Sequence, residues 1–380
     1  GILNDLRSAD TSELSTDTMK VLFNMFGTVI DMIGGETVTI DVEFEEDEEA
    51  AAHGRIYGDT YYESAFAVAD RMKAETGAES FDSIIVALGS GANGFADALG
   101  GSYLAAKESA PILLMAAPED EDEAEVRAAV EAYIAENLTK GGTVYILGGT
   151  AAVSEDFESD LTASGITTHR FAGANRWATN TEILEYVGIE GEDEILVVTG
   201  SNYADSLAAA SVGKPILMVN GTTDTLRKEQ IAYLDSISNQ GKTFTVIGGE
   251  SAVTADKLAL VAAYGETGRV AGDDRYLTSL AVAETYYPEA DKLIIFNGTN
   301  SNGYTDGLIS GALSVAIEAP MLLTRNNEKT TSVFFDEYVS GLKLGKIYVI
   351  GDDEAVTDDT VLQITGLESV EDFVIYHYEK

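Results

Sequence analysis

The chain has no cysteine in 380 residues, which excludes disulfides and thiolate metal sites and is compatible with export that needs no oxidative folding. Its three histidines, His53, His169 and His377, lie far apart with no ligand spacing, so no metal centre and no cofactor are expected. Basic residues are scarce: 23 Lys and Arg face 65 Asp and Glu, a net charge of −42. A surface of that sign repels nucleic acid and anionic lipid, because neutralising phosphates takes clustered Lys and Arg. It favours solubility, above all in a salty or cation-rich medium that screens self-repulsion. No apolar run approaches the roughly 18 residues of a membrane span. The most apolar stretch, residues 19–33, is interrupted by Lys20, Asn24 and Asp31 and reads as an amphipathic or buried helix. There is no Gly-x-Ser-x-Gly elbow and no Walker loop, so no enzyme is expected. Opening on Gly1 rather than Met, the sequence is expected to start at a processed end or an internal boundary, with any export signal upstream.

What the chain does have is repetition. Arg170-Phe171-Ala172-Gly173-Ala174-Asn175-Arg176-Trp177-Ala178-Thr179 recurs as Arg269-Val270-Ala271-Gly272-Asp273-Asp274-Arg275-Tyr276-Leu277-Thr278. A weaker copy reads Arg55-Ile56-Tyr57-Gly58-Asp59-Thr60-Tyr61-Tyr62-Glu63-Ser64, with Tyr61 in place of the second arginine and Ser64 in place of the threonine. A frame Arg-x-x-Gly-x-x-Arg-aromatic-x-Thr, recurring at about 100-residue spacing, means three copies of one unit. Each copy continues in one order. The first unit predicts a strand at 84–88, a Gly-rich turn, a small-residue helix at 95–107, a strand at 110–115, a helix at 121–138 and a strand at 144–147 running into Gly148-Gly149. The second unit has strands at 195–198, 214–218 and 244–247; the third has them at 293–296, 319–323 and 347–350. Continuous apolar strands alternating with helices predict α/β units with parallel sheets covered on both faces. Pro111, Pro215 and Pro320 open the middle strand of each unit, where no ladder donor is yet needed. The expected divisions are an N-terminal extension over 1–52, with a strand at 37–44 and an acidic linker at 45–49, then repeats at 53–168, 169–267 and 268–380.

Four features stand in fixed order three times over: the arginine frame, the aromatic-x-Asp helix start, the Ala/Lys-Pro strand and the Gly-Gly/Asp turn followed by Ala-Val. Together they resemble the type 2 cell-wall-binding repeat family, over roughly residues 53–371. The resemblance implies three tandem Rossmann-like domains packed around a pseudo-threefold axis. It further implies noncovalent anchoring of an exported cell-surface protein to an anionic cell-wall polysaccharide, such as a secondary or teichoic-acid-like polymer. Any catalytic activity would then belong to a separate domain. The chain departs from the pattern at Tyr61, at Gly351-Asp352 and in its acidity.

Two readings of the arginines stand side by side. Arg55, Arg170, Arg176, Arg269 and Arg275 present planar donor forks suited to polymer phosphate or carboxylate, with Trp177, Tyr276 and Tyr62 stacking nearby. Equally, the first arginine of each frame suits a structural bridge within or between units. Asp97, Asp205 and Asp306 open a helix after the first strand and read as repeat-structural positions, capping or pairing between units. The stretch Gly89-Ser90-Gly91-Ala92-Asn93-Gly94 has the form of a dinucleotide loop, but its counterparts share only the turn. Asp273-Asp274 and Asp352-Asp353-Glu354 lack the alternating spacing of a calcium loop, which leaves divalent-cation bridging to an acidic polymer as a separate option. An adhesin or scaffold that binds a protein partner is the alternative to the anchor, and a nucleotide- or sugar-binding Rossmann-like protein is the third reading.

Overall fold

A computed structural model describes residues 53–91, 94–299, 303–326 and 329–378. The helix expected over 19–33, the strand over 37–44 and the acidic linker lie outside the described residues. The body over 53–378 contains three wholly parallel sheets. The first holds β2 (Phe81–Leu88), β3 (Ile112–Met115), β4 (Leu138–Leu147) and β5 (Thr167–Phe171), in the order β3-β2-β4-β5. The second repeats it with β6 (Glu194–Thr199), β7 (Ile216–Val219), β8 (Thr243–Ile247) and β9 (Thr267–Val270), in the order β7-β6-β8-β9. The third takes β10 (Lys292–Asn297), β11 (Met321–Thr324) and β12 (Lys346–Ile350), then β1 (Gly54–Tyr57) and β13 (Val374–His377), ordered β11-β10-β12-β1-β13. The runs Ile84 to Ala87, Ile195 to Val198 and Leu293 to Phe296 are fully buried, because helices cover both faces of a parallel sheet. The three prolines stand one residue ahead of β3, β7 and β11. Their carbonyls already accept ladder bonds from Ile85, Leu196 and Ile294.

The frame strand never stays with its own unit. β5 pairs with β4, β9 with β8, and β1 with β12. The helix after each frame packs instead on the following sheet. Buried Asn180, on the helix Arg176–Val187, donates to the Ile216 carbonyl (2.8 Å) and accepts from Met218 N–H (2.8 Å). Ser279 Oγ accepts from Leu323 N–H at 3.1 Å in the same way. Each repeat thus reaches back and lays its frame strand on the sheet of the one before it. Since β1 joins the third sheet, the first repeat docks on the third, giving the cyclic arrangement that a pseudo-threefold axis requires. The same bond marks each joint: the turn glycines Gly148, Gly248 and Gly351 donate N–H to the carbonyls of Phe171, Val270 and Ile56.

The helix expected over 95–107 is two short helices, Phe95–Gly100 and Ser102–Glu108. They part at Gly101, whose N–H is shared between the Asp97 and Ala98 carbonyls (3.1 Å each), a tightened helix end. The acidic helix runs Glu123–Asn137. No helix among the described residues is long and apolar enough to cross a membrane.

β13 has no counterpart in the other sheets. It pairs with β1 over Gly54 to Tyr57, and Tyr378 beyond it packs on Phe66 and Tyr133. The strand that closes the ring is therefore held on both edges by the far end of the chain. Removing residues 374–380 is expected to lower stability by about 2–4 kcal/mol and to speed amide exchange selectively at Arg55–Tyr57. A truncated chain as stable as the full one, with unchanged exchange there, would show that β13 is incidental to closure.

Candidate functional site

The first arginine of each frame is turned onto the chain. Arg55, 5% exposed, donates Nη1 to the carbonyls of Gly351 (3.0 Å), Asp352 (2.8 Å) and Val356 (3.0 Å), and Nη2 to Asp358 Oδ1 (2.7 Å). Arg170 does the same one repeat on: Nη1 to Gly148 and Val153 carbonyls (3.0 Å each), Nη2 to Ser154 O (3.2 Å), Nε to Glu158 (2.7 Å). Arg269 grips the Gly248 (2.5 Å) and Val253 (2.7 Å) carbonyls. A planar fork with five donors suits this work, since a helix-leading turn leaves several carbonyls pointing at one spot.

The rest of the frame builds the passage from that strand into the next unit's helix. Thr60, Asn175 and Asp274 hold one frame position, and each caps the helix that follows by accepting backbone N–H bonds. The frame glycine lies against that helix: a Cβ at Gly173 would come within 2.4 Å of Thr179 N, and one at Gly272 within 2.3 Å of Leu277 C. The final hydroxyl closes the loop in two frames, Ser64 Oγ accepting from Gly58 N–H (3.0 Å) and Thr278 Oγ1 from Gly272 N–H (3.2 Å). Asp273-Asp274, one of the acidic pairs considered for calcium, thus supplies a cap; Asp352 Oδ1 likewise accepts from the Glu354 and Ala355 N–H groups.

The second arginine reaches the Gly-rich turn after the first strand of its own repeat. Arg176 Nη1 donates to Gly200 O (2.9 Å) and Arg275 Nη1 to Gly298 O (3.0 Å). The neighbouring aromatic lies under the same glycine: a Cβ at Gly200 would be 2.9 Å from Trp177 Nε1, and one at Gly298 3.3 Å from Tyr276 Cε1. Trp177 is half-buried, whereas Tyr62 and Tyr276 are buried. The first repeat solves the problem differently. Tyr61 has no guanidinium, and the Tyr304 hydroxyl from the third repeat donates to Gly89 O, and at the same distance to Gly91 O (3.0 Å). In the Gly89–Gly94 stretch, Ser90 Oγ and Ala117 N–H both bond Asp120 Oδ2 (2.6 and 3.0 Å), so a carboxylate stands beside that turn.

The helix-opening aspartates sit between repeats. Asp97 bonds Thr179 and lies in the field of Arg176; Asp205 bonds Thr278 and lies in the field of Arg275. Burial pushes both carboxyls up, while those partners pull back. Each carboxylate also rests against the turn glycine, since a Cβ at Gly148 or Gly248 would fall 2.8 or 2.6 Å from Asp97 or Asp205 Oδ2. Those glycines adopt φ of 102° and 117°, the left-handed side that disfavours any side chain. Asp306 breaks the pattern. The frame it faces carries Tyr61 where the others carry arginine, and burial first, then the charge of Asp352, pushes its carboxyl up to about 8.

The structure also gathers residues that the repeat frame does not contain. Arg227 lays its guanidinium over the Trp177 indole, Cζ 3.8 Å from the ring centroid, and Arg325 lies over Tyr276 at 5.2 Å. Each follows the middle strand of its unit, where the first repeat has Asp120. They stand eight residues and one residue beyond the ends of β7 and β11, so no shared offset marks the pair. Buried Lys257 holds the loop before Arg227, donating Nζ to Thr225 O and Thr223 Oγ1.

Comparison with known proteins agrees with this architecture. Residues 55–158, 170–257 and 269–361 match the family described as cell wall binding domain 2. The chain is 24% identical over 281 residues to the N-acetylmuramoyl-L-alanine amidase LytC of Bacillus subtilis (strain 168), covering 72% of this chain and 52% of LytC. It is 27% identical over 188 residues to the amidase enhancer of the same organism, covering 48% of this chain and 24% of that protein. It spans, then, about half or less of these relatives. Cwp8 and Cwp6 from Clostridium difficile share the fold, with TM-scores of 0.68 and 0.67 at 24% and 20% identity, over 92% and 93% of this chain and 54% of each of theirs. The chain belongs to the cell wall binding domain 2 family, as a cell-wall-binding protein of the cell surface carrying three tandem repeats of that domain.

Proposed function

We propose that the three repeats anchor an exported surface protein noncovalently to an anionic cell-wall polysaccharide, and that this chain carries no catalysis of its own. The units are the repeats over 53–168, 169–267 and 268–380, and the candidate residues are Arg55, Arg170, Arg176, Arg269, Arg275, Trp177, Tyr276 and Tyr62. Among them the first arginine of each frame fixes the turn, and the second arginine with its aromatic forms the contact. The observation that supports this reading most is the arginine-aromatic corner shared by the second and third repeats in a chain otherwise dominated by acid. Repeated weak sites on a rigid ring suit a repetitive polymer, because each further contact forms at high effective concentration. Divalent cations bridging protein and polymer carboxylates would reconcile the net charge of −42 with a polyanionic partner.

Cosedimentation of the full chain with bacterial walls, intact and stripped of secondary polymers, tests it. Pelleting is expected with intact walls and at least about tenfold weaker binding with stripped ones, declining as salt rises. Loss of pelleting in chelator, restored by calcium, would bring the acidic surface into the contact. A folded chain that pellets with neither wall would overturn the anchor and leave a protein-binding adhesin as the reading to pursue.

A further inference from the structure

We infer that the repeats grip unequally: the anionic polymer is held by the second and third repeats through Arg227 and Arg325, and the corresponding corner of the first repeat takes no anion. The inference rests on the polymer-binding reading above and assigns the charge recognition within it.

In the second repeat, two guanidiniums approach the Trp177 ring, Arg227 Cζ at 3.8 Å and Arg176 Cζ at 5.9 Å from its centroid. Arg176 is tied to Gly200 O. For the Arg227 guanidinium, no ion pair or hydrogen bond is found among the described residues, and its buried Nε has no partner. Glu229 lies within the field of Arg227 and Lys228 but makes no direct ion pair with the guanidinium, and two cations face that one acid. An indole face holds the guanidinium flat without neutralising it and leaves its donor edge available. Beside it opens a polar cleft of about 510 Å³ bordered by Asn175, Asn220, Thr223, Arg227, Lys228 and Glu229. Glu229, the acid in that wall, is engaged by Asn175 Nδ2 at 3.1 Å. The cleft thus offers a stacked cation, an exposed lysine and amide and hydroxyl groups, a set suited to phosphate or carboxylate flanked by sugar hydroxyls.

The third repeat places Arg325 over Tyr276 at 5.2 Å, beside Arg275. The first repeat has the same corner with the chemistry reversed. Tyr61 and Tyr62 pack ring to ring at 4.1 Å, and the Tyr61 hydroxyl donates to that of Tyr62 (2.7 Å). The segment after the middle strand brings Asp120 and Asp122 instead of arginine. Burial first, then the Tyr61 contact and these two charges, push the Tyr62 phenol up. An anion entering there would meet the charges of Asp120 and Asp122, with no guanidinium over the Tyr62 ring among the described residues.

Wall cosedimentation of the full chain reads this out with Arg227→Gln, Arg325→Gln, the double variant and Lys140→Gln. Lys140→Gln removes the same charge from an exposed position of the first repeat. Each arginine variant is expected to weaken binding about tenfold and the double variant about a hundredfold, with Lys140→Gln within twofold of wild type. Arg227→Lys keeps the charge without the flat stacking and is expected to fall between. Thermal unfolding checks that the variants fold. A double variant that pellets like Lys140→Gln, while wild type binds, would overturn the inference and leave the anchor standing. A wild type that does not pellet would overturn both.

Discussion

Arg55→Ala is expected to be among the most destabilising substitutions in the chain, costing on the order of 3–5 kcal/mol in denaturant unfolding. The half-exposed Asp358 partner contributes little, because its carboxylate returns to water. The cost comes from the Gly351, Asp352 and Val356 carbonyls, two of whose bonds are buried, which lose a charged donor together. It is enlarged by position, because these bonds tie β1 to a turn nearly 300 residues away and so hold the ring shut. Arg170→Ala should cost a similar or smaller amount, since Arg170 is 12% exposed and water can enter. Arg269→Ala should cost least, with two carbonyls gripped. Arg55→Lys should recover only part, as an ammonium lacks the fork that reaches all three. An Arg55→Ala chain within 1 kcal/mol of wild type would mean that the arginine is not a closure residue and that its fork is free for other work.

Asp306→Asn is expected to stabilise the protein, and to do so in a pH-dependent way. The Asp306 carboxyl rises from 3.8 to about 8, first by burial and then by the charge of Asp352. A raised carboxyl means that the folded state prefers the protonated form. Its contribution is then fully present below pH 3.8 and is lost as pH climbs through about 8. At pH 7 the cost of keeping it buried is roughly 4 kcal/mol at 1.36 kcal/mol per unit of pKa. An amide of the same shape removes that cost, so the gap between variant and wild type should widen by about 2–4 kcal/mol from pH 5 to pH 8. Asp97→Asn and Asp205→Asn should behave differently, because Arg176 with Thr179 and Arg275 with Thr278 stabilise those carboxylates. A pH-independent gap for Asp306→Asn would show that this carboxyl does not titrate as its burial suggests. The asymmetry follows the departures of the first frame and the third turn: Tyr61 for arginine, Ser64 for threonine, and Asp352 where the other turns have Gly149 and Gly249. Losing that arginine left Asp306 uncompensated, while the Tyr304 hydroxyl took over the Gly89 carbonyl.

Much of this protein was legible in its residues. Apolar runs such as Ile84 to Ala87 and Ile195 to Val198, alternating with helices, read as strands buried on both faces, and the three prolines marked where the middle strand of each unit begins. The arginine frame was legible as a repeat, and the structural reading of its first arginine describes what that residue does. Its first arginine grips carbonyls, and its second stands beside an aromatic. The division of labour between them was not visible, because both are arginines in one loop and only the backbone path decides which carbonyls converge on which fork. Arg227 and Arg325 were missed because they lie outside the frame, 51 residues and 50 residues beyond Arg176 and Arg275, and a cation-aromatic contact across that separation leaves no local spacing to read.

Local pattern by itself determined the elements, their order and their threefold repetition, since hydrophobic periodicity and turn chemistry act within a few residues. Only the tertiary structure decided how the units join. A frame strand can satisfy its backbone donors on any parallel edge within reach, and nothing in Gly54–Tyr57 states that its edge lies between Lys346–Ile350 and Val374–His377. That choice is made by the ring as a whole, where the first strand can be buried only by closing on the last sheet.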